Sequence, residues 1–409
     1  MLQLNPLLLI KKGHIGFFSC TKCMQKGKYV KGRVVFPKIN CKKRTNENFY
    51  DKIQPEHHLG KSILENIPNI DIVNNFPLDY MHLICLGVVK KIILNIWLFG
   101  PAAHKLSKTQ IEEISNYLIQ IKSCIPSDFA RKIRSLNECK RWKATEFRFF
   151  LLYCGPIILK NILPFDKYLH FLSLHAAVRI LINLESCAKY LDYTQSLLQY
   201  FIKQFIVIYG EEYISHNVHG LIHIVDDSRI FGNLDCYSAF PFENYLQYLK
   251  KCVRKPDAPL VQIINRIQES QNVLIIKPQE KIQLQVEQEH CAGPLLAGNF
   301  SVQYRKLIIN NNISFSLRFG DNCCYLKDKS IILIENFVQQ EDNYYIIGRK
   351  FINITDFIDE PFKSSILDIY LVYNLSELLM WSVNEIENKF IILPYNDVHV
   401  VLPLIHTFC

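Results

Sequence analysis

Two short patterns in this chain have the residue types and spacing to hold a metal ion. Cys20-Thr21-Lys22-Cys23 is a C-x-x-C pair in a short basic loop, from which both sulfurs can reach one tetrahedral Zn²⁺. Alone it is half a site, and among fourteen cysteines such a pair also arises by chance, so two further ligands are required. His216-Asn217-Val218-His219-Gly220-Leu221-Ile222-His223 offers them. On a helix His219 and His223 stand at i and i+4, stacked on one face, with His216 as bystander. The bland alternative is that one of these rings caps or hydrogen-bonds in a polar core. Four protein ligands, Cys20, Cys23, His219 and His223, would leave no position open for water. A structural ion that clips the N-terminal loop onto a distant helix is therefore expected. His57-His58 is another histidine pair, with no spacing argument in its favour.

Acids stand in two further places. Asp79-Tyr80-Met81-His82 sets a carboxylate and an imidazole at i and i+3 in an otherwise apolar stretch. Asp79 as a helix cap, with His82 as a buried hydrogen-bonded residue, is the leading reading there. Phe240-Pro241-Phe242-Glu243-Asn244-Tyr245 sets one acid among aromatic residues. That carboxylate must reach solvent, pair with a cation such as Lys250 or Arg254, or bind metal, and a structural ion pair is favoured. Candidate phosphate contacts are Lys28, Lys31 and Arg33 in the basic loop 26–44, and Arg141 and Lys143 in the cluster 132–148. Such contacts are sequence-independent and salt-sensitive; solvated surface is the competing reading for each.

The elements that must position these groups fall into two regions. Residues 79–99 read as a buried helix with Asp79 near its N-cap, ended by Gly100-Pro101. Ser107-Lys108-Thr109-Gln110 resembles a capping box opening a helix over 107–121. Helical periodicity continues over 142–163, 171–191, 193–209, 216–227 and 242–253, giving a helix-rich region to about residue 290. After Gly293-Pro294 come short β-branched or aromatic runs at 300–309, 313–319, 322–326, 330–337, 344–351, 366–372 and 389–393. Polar turns separate them, so a second domain over 294–409, a small sandwich or barrel, is expected. The fold class is α+β.

Composition sets wider bounds. With 49% hydrophobic and 21% charged residues the chain can bury a large core, which excludes wholesale disorder. A formal charge of +9 suits an anionic partner such as DNA, though it is spread over 409 residues. The cysteines are scattered rather than framed for disulfides, which predicts a reduced intracellular protein. Residues 1–10 lack a basic start and a small-residue cleavage site, and Lys90-Lys91 interrupts the apolar run 83–99, so no membrane partner is expected.

The same residues carry a family resemblance. The stretch from Phe76-Pro77-Leu78-Asp79 through His82 to Lys90, Arg141-Trp142-Lys143-Ala144-Thr145-Glu146-Phe147-Arg148, Val218 to His223, and Ser238 to Leu246 resemble transposase-derived proteins of the CACTA-like group, with its Mirage and Chapaev relatives. The likeness runs from about Lys12 to the C-terminus. It implies a ribonuclease-H-like catalytic domain interrupted by a helical insertion. In that group an Asp, Asp, Glu triad holds two Mg²⁺ for in-line attack on phosphodiesters. A C-x-x-C follows the second Asp and a histidine pair precedes the Glu; in the related immune recombinase these four bind zinc. Carried over, Cys20 and Cys23 match the first pair, His219 and His223 the second, and Glu243, twenty residues beyond His223, the catalytic Glu. Asp79 and His82 match a D-x-x-H element with a supportive role.

The chain departs from that pattern at its start. Relatives carry an Asp-Ala-Pro-type strand end about where residues 1–5 stand here, and another catalytic Asp further upstream; none of the first ten residues is acidic. The resemblance therefore implies an N-terminally truncated, degenerate transposase-derived protein. It would be nuclear and zinc-stabilised, retain DNA binding and homodimerise on DNA, but not perform strand transfer by itself. Three alternatives stand beside it: a fragment of an active DDE transposase, a host interaction module built on the C-terminal β domain, and a zinc hydrolase using His219, His223 and Glu243.

Overall fold

Asp79 opens the first long helix. Its carboxylate accepts the backbone N–H of His82 at 2.8 Å and of Met81 at 3.4 Å, as expected of an Asp ahead of an apolar run. Helix α1, Met81–Leu98, follows, wound largely with i→i+5 hydrogen bonds. It is long and apolar enough to cross a membrane by length and composition, yet 67% of it is buried inside the protein, as in a core helix. The computed structural model describes residues 7–274, 284–296, 302–309 and 313–405. The expectations that fall on residues 1–5 and on the start of a strand at 300 lie outside the described residues.

Helix α2, Lys108–Gln120, has the reciprocal capping box expected of it: Ser107 Oγ accepts from Gln110 N–H, and the Gln110 side chain accepts from Ser107 N–H. Helix α3 spans 144–158 through a wider turn at Phe150–Cys154. The next two helices divide elsewhere than expected. Helix α4 is Phe165–Ile182 and α5 is Leu184–Tyr209, because the Asn183 side chain accepts the Ser186 N–H at 2.9 Å and starts a new helix. Near residue 192, where a break was expected, only a kink at Tyr190 remains. The chain continues as α6 (His216–Gly220), a tight turn at Leu221–His223, and α7 (Ile224–Phe231). Gly232, at φ +83°, supplies the left-handed exit from α7. Then come α8, Phe240–Cys252, and α9, Pro259–Leu274. Ahead of all these, the basic loop forms a hairpin of two short strands, β1 (Lys28–Val30) and β2 (Arg33–Val35).

The C-terminal strands are β3 (Leu284–His290), β4 (Val302–Ile309), β5 (Ile313–Ser316), β6 (Cys323–Leu326), β7 (Ile331–Gln340), β8 (Asn343–Asp356), β9 (Tyr370–Ser382), β10 (Ile386–Tyr395) and β11 (Val398–Pro403). Their antiparallel pairings run β6–β7–β8–β9–β11–β10 and back to β6, which closes a six-stranded barrel. Strand β4 pairs with the far end of β7 and carries β3 and β5 as a flap. Strand β3 starts ten residues before the expected boundary at 294, and β11 was not anticipated. The expected strand 366–372 begins instead in a helical turn at Ser364–Leu367 and becomes strand only from Tyr370.

Helices and barrel share one core. Ile391, Leu393, Val400 and Leu402 of the barrel belong to the same buried cluster as Trp97, Phe150, Phe171 and Phe201 of the helices. The fold is α+β: a helical body with a β-barrel packed against it.

Candidate metal centre

The C-x-x-C loop is held from behind before any metal is considered. Met24 N–H donates to the Lys42 carbonyl at 3.0 Å and Arg44 N–H to the Lys22 carbonyl at 2.9 Å, pairing the loop with 42–44. The buried Arg44 guanidinium donates to the carbonyls of Cys20 and Cys23 at 3.4 and 3.3 Å and to Gln54 at 2.6 Å. Both cysteine side chains consequently face one way, toward α6 and the turn after it.

There they meet the histidines. Cys23 Sγ lies 3.3 Å from His219 Nε2, Cys20 Sγ lies 3.7 Å from His223 Nε2, and the two Nε2 atoms are 3.4 Å apart. All four ligand atoms fall within 4.8 Å of one another, and all four residues are buried. Bonds of about 2.3 Å to sulfur and about 2.0–2.1 Å to nitrogen imply tetrahedral edges of about 3.6 Å (S to N) and about 3.3 Å (N to N). The measured separations match those edges to within about 0.3 Å, so the donor set fits Zn²⁺ in chemistry and in size. The i, i+4 relation holds although Leu221–His223 is wound tighter than an α-helix.

The electrostatics are those of a site that shares charge. Hydrogen bonding from Cys23 draws the Cys20 thiol well below the usual range, with His223 and His219 adding to this. Cys23 moves the other way, raised first by that same bond and then by Cys41 and burial. Two thiolates this close in a buried place repel, and a divalent cation removes the conflict. Burial opposes protonation of His219, but Cys20 outweighs it and the net shift is upward. On the far side of the His219 ring lie the Gln25 amide, 3.3 Å from Nδ1, and the Phe36 carbonyl. Partners of this kind orient a ligating imidazole.

Sequence reasoning missed three supports. Lys22, between the two cysteines, forms a buried ion pair with Asp227 at 2.5 Å, and Asp227 also accepts Leu78 N–H at 2.8 Å. Arg44 is the second. The third is Cys41, whose thiol Cys23 helps draw down to about 6 and which lines an open cavity of about 470 Å³ reaching His223. None has a local signal; each is brought in by pairing across the loop or by a distant helix. His216 does not join the group. Neither do His57 and His58, which pack on the Phe49 ring, with His57 Nδ1 2.6 Å from the Phe18 carbonyl.

Asp79 caps α1 as expected, and His82 Nδ1 lies 2.5 Å from Asp79 Oδ2. His82 is hydrogen-bonded as expected, but only partly buried rather than buried. The expected partners of Glu243, Lys250 and Arg254, are not the ones it meets. It lies half exposed in the first turn of α8, with Oε1 3.9 Å from His82 Nε2. Glu243 is also outside the Cys/His group, where the hydrolase alternative required it beside an open ligand position. Of the basic candidates, Lys28 pairs with Glu211, Lys31 with Glu212 at 2.6 Å, and Arg33 lies over the Tyr213 ring. Arg141 and Lys143 are exposed at the start of α3. Comparison with known protein families finds a domain of unknown function, DUF8592, over residues 289–404, which takes in the barrel, β4 and β5 but only the last two residues of β3. No curated protein and no solved structure matches the chain.

Proposed function

We propose that this chain is a transposase-derived, DNA-binding protein whose helical body is clipped by one structural zinc ion. The observation that carries the reading is the meeting of Cys20 and Cys23 with His219 and His223, about two hundred residues away, at zinc-compatible distances. The order C-x-x-C, H-x-x-x-H, then Glu243 is the order that the resemblance implies for the CACTA-like group. Zinc bound there supplies a cross-link between the N-terminal loop and the helices, with no open position for chemistry.

The reading leaves strand transfer out of this chain's own activity. What faces Glu243 is an imidazole, and among the described residues the Cys/His set is the one group of three or more potential ligands. These residues do not suit a carboxylate-bridged Mg²⁺ pair. On the same reading the protein is nuclear and homodimeric on DNA.

DNA contact falls to the exposed cations of the β1–β2 hairpin and the start of α3. Because Lys28 and Lys31 are paired with Glu211 and Glu212, phosphates must displace those carboxylates. The test is fluorescence anisotropy with duplex DNA across a salt series. The proposal expects tighter binding than a charge-matched control protein at low salt. It also expects a steeper log–log salt slope, by about 0.9 per freed cation, in Glu211→Gln/Glu212→Gln. Binding no tighter than the control's sinks it.

A second reading, an interaction module built on the barrel, is favoured by exposed Ile352, Leu379 and Met380 on β8 and β9. Ile352→Lys/Leu379→Lys separates the two: it leaves DNA affinity unchanged on the first reading and abolishes partner capture on the second.

A further inference from the structure

Helices α8 and α9 keep their apolar stripes outside the core. On α8, Phe242, Leu246 and Leu249 fall at i, i+4 and i+7, with Tyr245 beside them. On α9, Leu260 and Ile264 stand at i and i+4, with Val261 adjoining. Such a stripe ordinarily seats a helix on its own protein. Here Phe242, Tyr245, Leu246, Leu260, Val261 and Ile264 are each 46–73% exposed. The two helices touch, α8 reaches inward through Phe240 and Cys252, and no α9 side chain is buried among the described residues. Single exposed apolar residues are ordinary, but a group of them on two touching helices marks an interaction site. The joint between the helices is basic. Lys250, Lys251, Arg254 and Lys255 are all exposed, and none of them forms an ion pair among the described residues. Asp257 is the one acid between them and Glu269, which Arg266 takes at 2.6 Å. The Gln262 side chain holds the joint in place, accepting Arg254 N–H at 2.9 Å and donating to the Lys255 carbonyl at 2.9 Å.

We propose that α8 and α9 form the docking surface for an acidic amphipathic helix of a partner protein. The apolar side of that helix covers Phe242, Leu246, Leu260 and Ile264, and its Asp and Glu residues meet the basic joint. Apolar burial supplies the affinity, and the unpaired cations select an acidic partner. Duplex DNA uses cations alone and leaves the apolar side chains in water. A second copy of this chain brings its own basic joint, so the charges favour an acidic partner over self-pairing. The surface is independent of the DNA-binding reading, whose cations lie in the β1–β2 hairpin and at the start of α3.

The test is selection from a random phage-displayed library of peptides about 16 residues long, enough for a helix to form, on the immobilised full chain. The expected peptides carry apolar residues at i, i+3 and i+4 with Asp or Glu on the flanks. The tightest of them, synthesised, loses about 10-fold or more in affinity on Leu246→Ser/Ile264→Ser and on Lys250→Glu/Lys251→Glu. Replacing its acids with Lys restores binding to Lys250→Glu/Lys251→Glu. All four substituted side chains are exposed, so circular dichroism and melting temperature stay those of the parent. Duplex DNA affinity is unchanged in Leu246→Ser/Ile264→Ser, which separates this surface from the DNA-binding one. No enrichment over the Leu246→Ser/Ile264→Ser chain, or enriched peptides without an acidic bias, overturns the proposal. So does a dimer in sedimentation, or binding to phosphatidylserine vesicles, that the same variant abolishes.

Discussion

Lys389 Nζ, on β10, lies 2.6 Å from Asp128 Oδ2 in the loop after α2 and 2.8 Å from Asp321 Oδ1 before β6. The Lys389 side chain is fully buried, so one cation bridges a helical-body carboxylate and a barrel carboxylate inside the shared core, and Arg318 supplies the second positive charge at Asp321. The value of Lys389 lies in what removal leaves behind: a buried Asp128 without its cation, and Asp321 left to Arg318 alone, which lies 2.7 Å from its other oxygen.

Lys389→Met is therefore expected to cost about 3–5 kcal/mol in denaturant unfolding. Helical and β signals should fall in one transition, because the two regions share their core. A loss under about 1 kcal/mol, or two separate transitions, contradicts the shared-core description.

Acid should weaken the helical body through two buried histidines of α4. Burial lowers both His170 and His175 from 6.5 to about 3; His170 Nε2 lies 3.1 Å from the Phe201 carbonyl and His175 Nδ1 2.8 Å from that of Leu151. The unfolded chain takes up a proton on each ring near pH 6.5, and the folded chain does so only near pH 3. The stability they support is thus complete above pH 6.5 and drains as pH falls toward 3, at roughly 1.4 kcal/mol per pH unit for each ring. His170→Phe, which keeps the stack on Phe201, should flatten the stability-against-pH slope by roughly that amount for one ring. An unchanged slope would show that His170 is already charged in the folded state.

Asp227→Asn should disturb the metal centre without touching a ligand. It strands the buried Lys22 cation between Cys20 and Cys23. Zinc affinity, measured by chelator competition, is expected to fall about 10–100-fold. Lys22→Met added to Asp227→Asn should recover part of the loss. Equal affinity in wild type and Asp227→Asn would remove the pair from the account.

Local signals were legible in the sequence and long-range partners were not. The Asp79 and Ser107 caps, the helix-rich region and the β-rich one follow from residue types at fixed offsets. The C-x-x-C and histidine pairs declare themselves by spacing, and their pairing with each other rested on ligand count and on the resemblance. Asn183 was missed as a helix start because Ile182 and Leu184 continue the apolar run on both sides. Strand β3, Leu284–His290, was missed because it lies on the flap, only partly buried, so its alternation is weak. Glu243 was paired with cations near it in sequence. Its facing group, His82, stands 161 positions earlier and is brought there by Asp79 through Ala239. No period or motif encodes that contact.

The most direct test of the central claim is metal content per purified chain, in wild type, Cys20→Ala and His219→Ala, with melting temperature recorded alongside. The account predicts about one zinc per chain in wild type, lost in either variant together with a clear drop in melting temperature. Wild-type protein without zinc, with both variants folding as stably as the parent, would contradict it.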